Sequence, residues 1–166
     1  TSLTDREAWE RDYLPRLQMN SKRPSVAYAK TLPAQEEREY PIGLHLGSLI
    51  GHMRNMLGVE NLSYLYADDE ELYAEIVDTL CGLCYECAKK MLESGVKFDY
   101  GHYWEDICFK NGPLVSPVVF RELVGPWYKK INDMVNSYGI DIISLDCDGC
   151  IDSLVPIWLE NGVNTM

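Results

Sequence analysis

The feature that most constrains the fold is an apolar run near residue 140 that ends abruptly in carboxylates and thiols. Residues 140–146 are rich in isoleucine and leucine, a pattern typical of a strand buried on both faces of a parallel sheet. Asp146, Asp148, Gly149 and Cys150 lie at or just after its carboxyl end. In α/β proteins, ligands bind at the carboxyl ends of parallel strands. We therefore predict an interior strand at 140–146 that carries polar chemistry at its end.

Composition indicates an ordinary globular chain. Its 166 residues are 46% hydrophobic and 25% charged, which is typical of one soluble domain with a sizeable core. No apolar run of membrane-spanning length and no basic-then-apolar amino terminus is present. These features predict a cytoplasmic protein without a membrane partner. The six cysteines are interpreted as reduced thiols, although an even number also permits disulfides.

The charge balance argues against a nucleic-acid partner. Lys and Arg number 15, Asp and Glu number 26, and the formal net charge is −11. Such a surface repels a phosphate backbone, and the sequence shows no basic stripe to offset that repulsion.

The first 39 residues predict a helix followed by an irregular connection. Thr4 and Glu7 form a capping-box pattern, and apolar residues recur at helical spacing to about residue 17. Prolines and a charged run then interrupt any regular pattern up to residue 39. We therefore divide the chain into residues 1–39 and a domain of residues 40–166.

Strand and helix patterns alternate through residues 40–166. Strands are predicted at 40–48, 96–104 and 140–146, with a fourth opening at 162–166. Helices are predicted at 49–57, 68–95, 116–138 and 151–160, and a loop at 107–115. This order is the signature of right-handed parallel crossover units. The fold class predicted is α/β: part of a (β/α)8 barrel of the TIM type, and an incomplete one, because eight units need about 250 residues.

Acidic residues follow two of the predicted strands. Glu105 and Asp106 end one of them as Asp146 and Asp148 end another, so the four carboxylates are expected to meet at one rim. Like-charge repulsion would then raise some of their pKa values unless a cation lay between them.

Several residues at this rim are candidates for chemistry. Glu105, Asp106 and His102 are candidate acid/base groups, and Asp146, Asp148 and Cys150 are candidate ligands for zinc or another divalent cation. A solvated acidic turn is an equally good interpretation of the aspartates, and a structural role is an alternative for His102.

Cys81, Cys84 and Cys87 resemble part of an iron–sulfur motif. A fourth cysteine is missing, and their spacing places them along one side of a predicted helix. We therefore interpret them as small packing residues.

Three pieces of the chain resemble the uroporphyrinogen decarboxylase superfamily, which contains decarboxylases and methyltransferases that serve corrinoid proteins. The pieces are Gly47-Ser48 with Gly58, residues 112–120 with 126–130, and residues 142–149. The second piece contains Ser-Pro-x-x-Phe followed by Pro-x-Tyr-Lys-Lys, and it stands in the right order relative to the third. The resemblance covers most of residues 40–166 and implies a TIM-type barrel.

The resemblance favours methyl transfer over porphyrinogen decarboxylation, on a tetrapyrrole- or corrinoid-linked or otherwise small substrate. The family's methyltransferases carry His-x-Cys-Gly, with a zinc-binding His and Cys, where this chain has Asp146-Cys147-Asp148-Gly149. Its decarboxylases grip their anionic substrate with an arginine-rich motif that residues before Tyr40 lack. In this interpretation Arg54 binds an anionic group and Ser116, in the Ser-Pro motif, contacts the substrate.

A catalytically inert chain is the alternative. Half a barrel leaves two strand edges and an apolar face uncovered, and such a chain would bury them by oligomerising. Either interpretation predicts a homo-oligomer.

Overall fold

The structure is a computed structural model and describes residues 3–166. Its strands are β1 (Gly43–Gly47), β2 (Tyr100–Trp104), β3 (Cys108–Phe109), β4 (Gly112–Pro113) and β5 (Ile143–Asp146). Its α-helices are α1 (Arg6–Ala8), α2 (Val26–Ala29), α3 (Gly51–Asp68), α4 (Glu70–Leu92), α5 (Pro117–Val119), α6 (Gly125–Ser137) and α7 (Val155–Glu160). Single turns of π- or 3-10 helix occupy Trp9–Tyr13, Leu14–Arg16, Gln35–Glu37 and Phe120–Val124.

The central sheet is parallel and has the order β1-β2-β5. A parallel bridge between Ser144 and Thr165 adds a fourth, very short strand beside β5. The predicted α/β class and parallel sheet are confirmed, and so is the opening of a strand within residues 162–166. The described residues form an open sheet, so the closed barrel stays a prediction.

One face of the sheet is packed against helices. Leu44, Leu46, Tyr103, Ile143 and Leu145 alternate along the three strands and are at most 4% exposed. Burial of such aliphatic and aromatic side chains is the main source of stability in a layer of this kind. Residues at the intervening positions lie on the opposite face, which therefore presents the sheet's polar side chains.

The amino-terminal segment packs on the helices of the sheet domain. Trp9 is fully buried, and its indole N–H donates to Glu75 of α4 at 2.8 Å. Arg6 pairs with both Asp69 and Glu75. The predicted helix is present, but its cap is Asp5, whose carboxylate accepts from the Ala8 amide at 2.8 Å. The capping-box assignment to Thr4 was therefore wrong by one residue.

Three further local predictions need correction. Helical structure does not stop at Gly58: the chain breaks there, with φ at 76°, and then resumes as the second half of α3. The predicted loop at 107–115 contains the β3–β4 hairpin. The strand predicted from residue 140 begins only at Ile143. Asp141 and Ile142 are exposed, although the Ile142 carbonyl still accepts from the Gly101 amide of β2 at 2.9 Å.

None of the helices in residues 3–166 combines the length and the apolar character that crossing a membrane requires.

Candidate functional site at the carboxyl ends of the strands

A buried carboxylate ties the carboxyl end of β2 to the start of α3. Glu105 is 0% exposed. Its oxygens accept from the backbone amides of Leu49, Ile50 and Gly51 at 2.7, 3.0 and 2.8 Å, and from the Ser48 hydroxyl at 3.2 Å. A helix amino terminus offers unpaired N–H groups and a positive dipole end, so a carboxylate is well stabilised there. Glu105 therefore fills the anion site that α3 creates.

Tyr128 of α6 supplies one more donor to the same carboxylate. Its hydroxyl donates to Oε1 of Glu105, and its ring packs edge-on against Tyr103 at 4.8 Å between centroids. Burial, and then the charge of Glu105, raise the pKa of Tyr128 well above its usual value. The phenol therefore stays protonated and acts as a fixed donor.

This environment bears directly on the role predicted for Glu105. A carboxylate without solvent exposure and with five donors around it cannot reach a substrate at the rim. The acid/base role predicted for Glu105 is therefore wrong, and its carboxylate instead holds the start of α3 against the end of β2.

Arg54 lies over the carboxyl end of β2. Its guanidinium carbon is 5.3 Å from the centre of the Trp104 ring, a distance typical of a cation–π contact. The same group donates to the backbone carbonyl of Asp106 and to the Asn55 side chain. Arg54 is only partly buried, so it presents a positively charged edge at the rim.

Two of the predicted acidic clusters meet at this rim. Trp104 and Asp146 are paired in register, and the Glu105 amide donates to the Asp146 carbonyl at 2.9 Å. One step further, Asp106 Oδ1 accepts from the Asp148 amide at 3.1 Å. Asp106 holds a positive φ of 49°, which an aspartate tolerates better than most residues. The rim therefore brings Arg54 next to Asp106, and Asp106 next to the backbone of Asp148. The expected meeting of four carboxylates is wrong for Glu105, which is buried at the start of α3.

A row of polar side chains lies one layer below the rim on the open face of the sheet. His45, His102 and Ser144 are neighbours in register across β1, β2 and β5. Nδ1 of His102 is 2.8 Å from Ser144 Oγ, which is also 3.2 Å from the Gly101 carbonyl. The carbonyl can only accept, so both contacts are satisfied when Ser144 donates to Gly101 and accepts from Nδ1–H. Nε2 of His102 is then the basic nitrogen.

His45 is affected by the other two histidines of the chain. The side chain of His45 is exposed, but partial loss of water around its imidazole, followed by the nearby His52 and His102, lowers its pKa below the ordinary 6.5. At neutral pH its imidazole is therefore uncharged, as a proton acceptor or hydrogen-bond partner needs to be.

Thiols gather behind the acidic turn. Burial raises the pKa of Cys108 to about 12, and Cys147 and Cys150 lie close enough to add to this shift. Burial also raises the pKa of Cys147, so Cys108 and Cys147 are neutral thiols at pH 7. The Cys150 amide donates to the Phe109 carbonyl at 2.8 Å and holds the turn against the β3–β4 hairpin.

Two of the three thiols on α4, Cys81 and Cys84, pack in or against the core, whereas Cys87 is half-buried and contacts the Met19 sulfur. Cys81 is fully buried and Cys84 half-buried, and burial raises the pKa of Cys84 to about 12. All six cysteines are free.

A divalent cation remains a prediction from the sequence. Within residues 3–166, no group of three or more His, Cys, Asp or Glu side chains is arranged to hold a metal ion. Asp146 and Asp148 are exposed and Cys150 half-buried, so these three residues alone do not enclose an ion.

Ser116 is exposed and precedes α5 without a capping hydrogen bond from its side chain. The structure gives no contact that ties it to the rim, and its role in substrate binding stays a prediction.

Sequence analysis missed the parts played by Ser48, Trp104 and Ser144. The alternation of side chains along a strand marks Ser144 and His102 as facing away from the helices, but their pairing depends on register between distant strands.

Comparisons with known proteins support the fold. No known family matches the sequence, and no similar sequence was found among curated proteins. Among solved structures, a methyltransferase from Methanosarcina mazei is similar, with a TM-score of 0.64 and 16% identity over 96% of this chain. At that identity the similarity shows a related fold alone. The chain spans 43% of the length of that methyltransferase.

Proposed function

We propose that the chain is part of a methyl-transferring enzyme related to the uroporphyrinogen decarboxylase superfamily, with its site at the carboxyl ends of a partial (β/α) barrel. The observation that carries the proposal is the structural similarity to a methyltransferase over 96% of the chain. The sequence motifs at 112–120 and 142–149 resemble the uroporphyrinogen decarboxylase superfamily, although Asp146 and Asp148 stand where its methyltransferases carry the zinc-binding His and Cys. The substrate class that fits this proposal is a tetrapyrrole- or corrinoid-linked or otherwise small methylated compound.

Arg54 and His102 have the chemistry that such a site needs. Arg54 stands at the rim with its charge partly exposed, which suits an anionic group of a substrate. In the arrangement that satisfies both contacts of Ser144, Nδ1–H of His102 donates to Ser144 Oγ. Nε2 of His102 is then free to accept a proton from an attacking thiol or hydroxyl. Asp106 and Asp148 form the acidic side of the same rim and would bind a donor group.

The test is methyl transfer from methylcobalamin to a small thiol. The thiolate sulfur attacks the methyl carbon, the cobalt–carbon bond breaks with its electron pair on cobalt, and a thioether and a Co(I) corrinoid result. The spectral change of the corrinoid measures the rate. We expect a rate about tenfold or more above that of the protein-free reaction, falling about tenfold or more in Arg54→Ala and in His102→Gln.

Arg121→Ala is the matched control, because Arg121 pairs with Glu160 away from the rim. Activity that is absent, or equally present in all four proteins, would contradict the proposal.

A catalytically inert chain that acts by oligomerising is the second candidate. It is favoured by the outer edge of β1, which pairs with no strand in the described residues. The methyl-transfer assay separates the two candidates, since only the first predicts turnover.

A further inference from the structure

Three thiols from two separate segments gather beside the rim. Cys108 belongs to β3, whereas Cys147 and Cys150 lie in the turn that follows β5. All three are free thiols, and none has a role in the methyl transfer proposed above. The turn has the sequence Cys-Asp-Gly-Cys, a Cys-x-x-Cys spacing that occurs in thiol–disulfide centres.

The segment after β2 runs beside the turn after β5, and backbone hydrogen bonds fix their alignment at both ends. The Glu105 amide donates to the Asp146 carbonyl at 2.9 Å. The Cys150 amide donates to the Phe109 carbonyl at 2.8 Å. The other two thiols lie between these bonds, one on each segment.

A glycine keeps the two backbones in close contact. Gly149 has a positive φ of 91°, and a Cβ built on it would lie 2.6 Å from the Cys108 carbonyl oxygen. A side chain at this position would push the turn away from β3, so the close approach depends on glycine.

The side chains of Cys108 and Cys147 meet inside this frame. The two thiols lie close enough to interact directly. Cys108 is 7% exposed and belongs to the core, whereas Cys147 is half-buried and packs against that core. The pair therefore combines one thiol that a small reagent can reach with a second thiol behind it.

We propose that Cys108 and Cys147 form a reversible disulfide by exchange with a low-molecular-weight disulfide. The Cys147 thiolate attacks one sulfur of the reagent, whose S–S bond breaks and releases one thiolate. The Cys108 thiolate then attacks the Cys147 sulfur of the mixed disulfide and expels the second thiolate of the reagent. The two cysteines are oxidised and the reagent is reduced by two electrons; each cysteine gives up its thiol proton, and each released thiolate takes one up. This inference goes beyond methyl transfer and does not depend on it.

The disulfide would tie the β3–β4 hairpin to the end of β5 at the rim. Asp106 lies two residues before Cys108; its carboxylate accepts from the Asp148 amide and its carbonyl accepts from Arg54. Oxidation would therefore fix the loops that carry these groups. A bond between positions 108 and 147 closes a loop of roughly 40 residues, which restricts the unfolded chain and raises the melting temperature by about 5 °C or more.

The experiment is incubation of the whole chain with oxidised glutathione, followed by intact mass and peptide mapping. We expect a loss of two hydrogen atoms, reversed by dithiothreitol. Trypsin cuts after Lys110 and so separates Cys108 from the other two thiols, and a protease that cuts before Asp148 separates Cys147 from Cys150. The digest should contain Cys108 joined to Cys147, and thermal unfolding of the oxidised chain should show the rise in melting temperature.

Three variants test the order of attack. Cys108→Ala keeps the accessible thiol and should hold glutathione on Cys147 as a stable mixed disulfide. In Cys147→Ala, Cys108 should react with glutathione about tenfold or more slowly than Cys147 does in Cys108→Ala, because it is buried. Cys87→Ala is the matched control, since Cys87 is half-buried like Cys147 but lies on α4, and it should form the disulfide at the unsubstituted rate.

Three results with the unsubstituted chain would overturn the inference, and they decide the matter even if a variant fails to fold. The first is that Cys108 and Cys147 both stay free in excess oxidised glutathione. The second is a disulfide that maps to Cys147 and Cys150. The third is a stable glutathione adduct on Cys147, because Cys108 would then be unable to reach the Cys147 sulfur.

Discussion

At the scale of single residues, Glu105 shows how one buried charge is accommodated. It accepts hydrogen bonds from three amides and two hydroxyls, which replace the water that a carboxylate loses on burial. Removing its charge would leave donors facing one another, and each unsatisfied buried donor is costly.

We expect Glu105→Gln to lower the free energy of unfolding by about 3 kcal/mol, because the amide keeps the shape but replaces an acceptor by a donor. Asp106→Asn is the matched control: it makes the same chemical change one residue away at the partly exposed rim, and should cost less than about 1 kcal/mol. Urea unfolding followed by circular dichroism measures both. Equal losses would show that Glu105 has no special role.

His45 should make stability depend on pH. Its pKa in the folded protein is lower than the ordinary 6.5, so the folded state binds fewer protons than the unfolded chain. The contribution of neutral His45 to the free energy of unfolding is fully present above about pH 6.5 and is lost as pH falls through the pKa of His45 in the folded protein. We expect a smaller loss of unfolding free energy between about pH 7.5 and pH 5 in His45→Gln than in the unsubstituted chain.

That pH window separates His45 from the carboxylates. Hydrogen bonds lower the pKa values of Asp5, Asp69 and Asp99 below the ordinary 3.8 of an aspartate, so their contributions to stability disappear at more acidic pH. An identical loss in both proteins would rule out His45 as the cause.

At the scale of elements, local sequence patterns predict helix caps well, but they do not predict which strand residues pair. Asp69 caps α4 as the acidic start of that helix suggests, with its carboxylate accepting from Leu72 at 2.8 Å. The second half of α3 was missed, because the glycine at 58 looks like a helix end whether or not helix resumes. The row of His45, His102 and Ser144 depends on register between strands more than 40 residues apart, which no local pattern encodes.

Two glycines in helices should respond oppositely to alanine. At Gly51 a Cβ would lie 2.2 Å from the Glu105 carbonyl oxygen, whereas at Gly82 it would make an ordinary contact of 3.7 Å with Trp127. Gly51→Ala should therefore cost about 2 kcal/mol or more by forcing α3 away from β2, and Gly82→Ala should stabilise α4 by about 0.5–1 kcal/mol. Thermal unfolding of the two variants checks this, and a neutral Gly51→Ala would contradict the close approach.

At the scale of the whole molecule, the question is whether the segment at 1–39 unfolds with the sheet. Sequence analysis divided the chain at residue 40 because regular patterns weaken before it. The structure shows contacts across that boundary: the Leu3 amide donates to the Met56 carbonyl at 2.7 Å, and Trp9 reaches Glu75. Contacts of this kind, with a tryptophan fully buried by them, favour a single cooperative unit.

Two buried tryptophans can report on this question, because Trp9 lies in the amino-terminal segment and Trp158 in the sheet domain, both 0% exposed. In a variant that retains only Trp9, with phenylalanine at the other three positions, we expect fluorescence and circular dichroism to give the same urea midpoint. A variant that retains only Trp158 is the control and should behave alike. If Trp9 fluorescence changed at a lower urea concentration than the circular dichroism signal, residues 1–39 would be a separate unit, because loss of its packing would then precede loss of the sheet.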